Sequence, residues 1–153
     1  MQEKGEWLWK PFDALDGDEV YAVLKLRSEI FVVEQNCPYL DADGLDQGAW
    51  HCLYRQGDRL LAYQRSLAPG VSYANASAIG RIVIAGEARG RGLSRELIQR
   101  GIDFNRQRWP DADLDIGAQA HLRKLYESLG FAVVGEPYDE DGIPHLHMRL
   151  QRP

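Results

Sequence analysis

Three strand-like segments follow one another between Trp50 and Ile84 with no helix between them, and beyond Ile84 the pattern changes to helix, strand, helix. That order constrains the fold more than any other feature. "WHCLYRQ" and "RLLAYQRSLA" are joined by Gly57-Asp58, a two-residue turn that suits an antiparallel hairpin. A third strand is predicted from Ala76 to Ile84, after the Pro69-Gly70 turn. A helix follows from Gly92 to Trp109, stopped by Pro110. Leu93, Leu97, Ile98 and Ile102 recur on one of its faces, and Gly101 on that face predicts close packing. "ADLDIGAQ" reads as a strand with Leu114 and Ile116 on one side. The next helix, from about Gln119 to Leu129, carries Leu122, Leu125, Tyr126 and Leu129 on one stripe, with Gly130 at its end. "FAVVG" and "PHLHMRL" are the last strands, joined by an acidic loop from Glu136 to Gly142.

Upstream, Trp7 to Phe12 predicts a first strand, and Asp18 is placed to cap a helix running to Phe31. Its apolar stripe is Val20, Val23, Leu24, Ile30 and Phe31. Arg27 falls on that stripe, and so would Glu34 if the helix continued. The full order is β-α-β-β-β-α-β-α-β-β. It predicts an α+β fold with a central mixed, largely antiparallel sheet flanked by helices, in a single domain over residues 1–153.

"ARGRGLSREL", residues 88–97, crowds Arg89, Arg91 and Arg95 into the first turns of a helix, where the macrodipole disfavours positive charge. The whole molecule has a net charge of −5, which argues against a general nucleic-acid binder and for a compact bound anion. Glycines let successive N–H groups converge on one point, a helix N-terminus adds unpaired donors, and arginine can grip phosphate oxygens bidentately. The alternative is a solvated surface turn. The string is neither a P-loop nor a full dinucleotide fingerprint, because Arg95 stands where the third glycine would be. It does fit [Q/R]-x-x-G-x-[G/A] from Arg89 to Ser94, with Ser94 as a departure at the last place.

No segment approaches the roughly 18 apolar residues of a membrane span, and the first residues lack an apolar leader, so a cytoplasmic protein with reduced thiols is expected. Cys37 and Cys52 form no Cys-x-x-Cys. The four histidines and the "DADGLD" loop anchor no metal set, and no metal is expected. Asp41, Asp43 and Asp46 are expected to form a solvated loop or a negative rim that attracts a cationic amine.

The strand "ASAIGRIVI", the turn "RGRGLSREL" and the later "AQAHLRKLYESLGF" resemble, in order, the cofactor motifs of the GNAT acyltransferase superfamily. "LRSEIFVVEQNCPYLDADGLD", "HCL" and "GIPHLHM" are similar to its ElaA-type branch. The resemblance implies the GNAT fold, acetyl-CoA as cosubstrate, and N-acetylation of a small-molecule or protein amine; a homodimer is left open, and the acidic charge and lack of an apolar span predict neither nucleic acid nor membrane as partner. It implies that backbone groups of Ile82, Val83 and Ile84 pair with the pantetheine arm. It also implies that N–H groups of Arg89, Gly90, Arg91, Gly92, Leu93 and Ser94 cradle the pyrophosphate, and that Gln119 and Tyr126 border the cofactor. Tyr126 is the implied general acid for the thiolate, although its place on an apolar stripe equally fits a core tyrosine. Glu34 and His145 are the candidate bases. His145 and His147 otherwise belong on a solvated strand face, and His51 stands at the start of a strand that could approach the same cleft. Two other functions stay open, a non-catalytic acyl-CoA sensor and a nucleotide- or nucleic-acid-binding module.

Overall fold

The computed structural model describes residues 4–153. Its first strand, β1 (Glu6–Pro11), leads into helix α1 (Gly17–Arg27). The cap of α1 is Asp16 rather than Asp18. Glu19 N–H donates to Asp16 Oδ1 at 2.8 Å, and Asp16 N–H donates back to Glu19 Oε1 at 2.9 Å, a reciprocal capping box. The same Glu19 carboxylate takes Lys10 at 2.9 Å and Arg55 at 3.3 Å. Val23, Leu26 and Arg27 form the buried face of α1, while Leu24, assigned to the stripe by spacing, stays exposed. α1 ends at Arg27. Ser28–Glu34 continues as a wider π-helical segment, with Gln35 N–H bonded to Ile30 O and Cys37 N–H to Val32 O, so the helical phase changes there.

β2 (Trp50–Gln56), β3 (Arg59–Leu67) and β4 (Ala76–Ile84) form the predicted antiparallel run. Helix α2 (Leu93–Arg108) then crosses the sheet, and β5 (Asp113–Gln119) returns parallel to β4. A 3-10 turn, Ala120–Leu122, precedes a short helix α3 (Arg123–Ser128). β6 (Ala132–Val133) and β8 (Ile143–Leu150) follow. Part of the expected acidic loop is itself a strand, β7 (Tyr138–Glu140), which pairs with β8. The strand order is β1-β2-β3-β4-β5-β8-β6, with β7 also beside β8.

The two largest apolar clusters among the described residues cover the sheet. Ile79, Ile98, Ile102, Ile116, Tyr126 and Met148 lie in one, beneath α2 and α3. Val23, Leu26, Leu53, Leu61, Tyr63 and Val83 lie in the other, beneath α1. Gly101 explains how close α2 lies to β3. A Cβ there would stand 2.4 Å from Gln64 Oε1, and the Gln64 amide donates to Leu97 O at 2.6 Å. Buried Asn105 extends this polar seam to Ser66, Ser77 and the Ala78 carbonyl, which satisfies groups that would be costly to bury alone. Among the described residues no helix is long and apolar enough to cross a membrane.

Candidate functional site

β4 and β5 pair at only three positions, Ala76–Asp113, Ser77–Leu114 and Ala78–Asp115. Beyond them β4 continues to Ile84 and β5 to Gln119 with no ladder bond between the two strands. A bulge accentuates the divergence. Opposite Tyr63–Arg65 the β4 register jumps from Val83 to Gly80, and Arg81 takes a positive φ of 52°. The two strands thus splay, and the gap widens into a cleft of about 800 Å³. That is the size of pocket that takes a ligand as large as a nucleotide cofactor. Ile82, Val83 and Ile84 line one side of it, and Ile116, Gly117 and Gln119 the other.

At the mouth stands the glycine-arginine turn. Gly90 and Gly92 adopt φ of 80° and 74°, and a Cβ on either would meet nothing within 4 Å. The glycines therefore serve backbone conformation, and the space they face is open. Gly92 is also the N-cap of α2, so the first N–H groups of that helix, at Leu93 and Ser94, point out of the turn without intrahelical partners. Arg89 differs from the expectation in one respect. Its N–H donates to Gly86 O at 3.3 Å, so the free backbone donors begin at Gly90. Arg91 reaches the Glu87 carbonyl and Arg95 the Ser128 hydroxyl.

Tyr126 lines the cleft from α3. It is 5% exposed, its ring meets Phe131 edge-on at 5.7 Å, and burial pushes its hydroxyl well above the usual tyrosine range. Gln119, also in the wall, exchanges hydrogen bonds with Gln35 at 3.3–3.4 Å and lies across the strand pair from His145. His145 is buried rather than solvated. Its Nδ1 lies 2.8 Å from the Ile143 carbonyl and its Nε2 3.1 Å from Glu140 Oε2. The carbonyl contact puts a proton on Nδ1. Glu34 lines the cleft as well, but Arg89 grips both its oxygens at 2.8 and 2.5 Å, and that hydrogen-bonded charge holds the carboxyl below its usual range.

His51 does not approach the cleft chemistry. It is buried between Tyr63 Oη at 2.6 Å and the Asp46 carbonyl at 2.9 Å. His147 bonds Asp115 at 2.7 Å beside Arg149, and Tyr73 stacks on it at 4.9 Å. The loop aspartates are not an uncompensated rim: Asp41 and Asp46 are buried, Asp43 stays exposed, and all three are paired. Arg27, fully buried, holds Asp41 at 2.8 Å and Asp46 at 2.7 Å. Arg65 holds Asp43 at 2.5 Å and Asp46 at 3.0 Å, and Arg81 holds Asp41 at 3.0 Å. Burial alone would raise Asp43 and Asp46, yet the guanidinium groups outweigh it and hold both below the usual carboxylate range. Among the described residues no three His, Cys, Asp or Glu side chains are grouped to hold a metal. Both thiols are free.

The sequence reading missed Tyr73 and Tyr138 in the cleft wall. A Cβ on Gly117 would lie 2.7 Å from Tyr138 Oη and 3.8 Å from Tyr73 Oη. A lone glycine inside a strand is the signal for such a close approach.

A parallel strand pair that opens into a cleft, with a glycine turn and helix N-terminus at its mouth, suits an extended ligand with an anionic end. Residues 46–152 match the family model described as an acetyltransferase (GNAT) domain. The crystal structure of an acyl-CoA N-acyltransferase from Pseudomonas aeruginosa superposes with a TM-score of 0.91 at 42% identity, covering 95% of this chain and 99% of that one. Escherichia coli ElaA superposes with a TM-score of 0.89 at 38% identity over 95% and 99% of the two chains. Aligned by sequence, ElaA is 40% identical over 145 residues, 94% of each chain. The chain belongs to the GNAT acetyltransferase superfamily and, within it, to the ElaA-like branch. Its general activity is that of a GNAT acyltransferase.

Proposed function

We propose that this protein moves the acetyl group of acetyl-CoA to a primary amine by direct transfer, with no covalent acyl-enzyme, in the cytoplasm. The observation that carries the proposal is the unpaired β4–β5 gap with the Gly90–Ser94 turn at its mouth. The gap offers strand-edge donors and acceptors to an extended chain bearing amides, as the pantetheine arm does. Ile82, Val83 and Ile84 supply that edge. The open N–H groups from Gly90 to Ser94 and the α2 N-terminus suit a pyrophosphate. Acetyl-CoA, once bound, supplies the activated acetyl group as a thioester.

The remaining work falls to side chains. An amine of ordinary pKa near 10.4 is protonated at neutral pH and must lose that proton before it attacks. His145 is the better-placed base: it lines the cleft with its Nδ1–H committed to Ile143 O, and its Nε2 takes up a proton once it turns from the Glu140 carboxylate 3.1 Å away. Glu34 is the second candidate, paired with Arg89 while no cofactor is bound. Tyr126 keeps its proton at neutral pH because burial disfavours the phenolate, so its O–H is available to hydrogen-bond the departing thiolate.

The reading is tested by titrating the protein with acetyl-CoA and following thiol release across a panel of small amines and basic peptides. Saturable acetyl-CoA binding and amine-dependent thiol release are expected. No binding at millimolar acetyl-CoA would sink the reading. Tyr126→Phe should lower kcat by about a hundredfold while leaving acetyl-CoA affinity intact, and unchanged turnover would remove the acid role.

A further inference from the structure

The Arg89–Glu34 pair ties the cofactor turn to the end of the π-helical segment across 55 positions of sequence. Both side chains line the cleft and both are nearly half exposed, at 46% and 47%. The contact is fork to fork, two parallel N–H···O bonds, which is also how a guanidinium grips two phosphate oxygens. Arg89 is distinct within its turn. Arg91 and Arg95 contact a carbonyl and a hydroxyl, and Glu87 is paired away with Arg59. Among the described residues, only Arg89 of the three has a carboxylate partner. Its backbone is fixed by the bond to Gly86 O, so its long side chain is the part that can change partner.

We infer that Glu34 occupies Arg89 in place of a phosphate, and that the pyrophosphate of CoA competes with Glu34 for the same guanidinium fork. This rests on the acetyl-CoA reading above. When Arg89 turns to the pyrophosphate, the Glu34 carboxylate is left without its cation and becomes a free negative charge in the cleft wall, available to a cationic amine. The exchange is feasible because an exposed ion pair is weak even when bidentate, while a diphosphate offers more charge and more acceptor oxygens. Binding of CoA and uncovering of Glu34 are then one linked equilibrium, so whatever weakens the pair must tighten CoA binding.

Calorimetric titration with CoA itself tests this, using the wild-type protein, Glu34→Gln, Arg89→Gln and the double variant. Glu34→Gln should bind CoA about two- to fivefold more tightly than wild type, the gain from losing an exposed competitor. Arg89→Gln should bind more weakly, and adding Glu34→Gln to it should restore nothing. Equal or weaker CoA binding by Glu34→Gln overturns the inference, and so does a gain that survives in the Arg89→Gln background. If the wild type binds CoA normally and only the Glu34→Gln gain is missing, the competition alone falls. If the wild type binds no CoA, the cofactor reading falls with it.

Discussion

Two sets of three arginines can be compared. Arg27, Arg65 and Arg81 converge on the loop from Asp41 to Asp46, and each is held by at least one of Asp41, Asp43 and Asp46. Arg89, Arg91 and Arg95 stand in and just beyond the glycine turn, Arg89 alone lining the cleft, and among the described residues a single carboxylate, Glu34, is among their partners. The first set balances charge for charge, as the burial of Arg27, Arg65, Asp41 and Asp46 requires. The exposed set leaves positive charge over, beside glycines whose conformation frees N–H groups. Cations neutralised on the spot hold a loop in place, whereas cations left over are placed for a ligand.

That contrast can be broken from either side. Replacing a buried member should give the largest effect. Arg27→Met leaves Asp41 with Arg81 alone and Asp46 with Arg65 alone, and it should cost about 3–5 kcal/mol of stability in urea unfolding. A variant as stable as wild type would show that the first trio is dispensable. Next comes the turn itself. Gly92→Asp puts a side chain at φ 74° and a negative charge where the anion is expected, so acetyl-CoA affinity should fall by at least about tenfold. Wild-type affinity in that variant would remove the turn from the cofactor site. The smallest effect belongs to Arg95→Ala. Acetyl-CoA should bind about two- to fivefold more weakly, with the urea midpoint unchanged, because an exposed arginine contributes little to the fold. If its midpoint shifts as far as that of Arg27→Met, the contrast between the two sets disappears.

Sequence patterns located the elements more reliably than their partners. β2 and β4 carry the predicted limits, and α2 differs by one residue at each end, because periodicity and a proline stop are local signals. The α1 cap was equally local. Asp16 and Glu19 spell a capping box that reading Asp18 as the cap overlooked. Other features were out of reach. β7 is exposed and acidic, so only its pairing with β8 makes it a strand. Asp41, Asp43 and Asp46 look like a solvated loop until arginines from α1, β3 and β4 meet them. The motif "RGRGLS" was legible as a phosphate turn, but the grip of Glu34 on Arg89 joins segments whose proximity no spacing rule reveals.

The three residue pairs between β4 and β5 have one more consequence. Among the described residues they are the only ladder joining the antiparallel group β1–β4 to the group β5–β8. The sheet is therefore two panels on a short hinge line, with α2 packed across both. Relative rotation of the panels breaks fewer hydrogen bonds there than at any other seam between the long strands. An extended molecule lodged in the gap would act as the missing strand between them. Amide hydrogen exchange along Ile79–Ile84 and Ile116–Gln119 would then report how firmly the two panels are clasped.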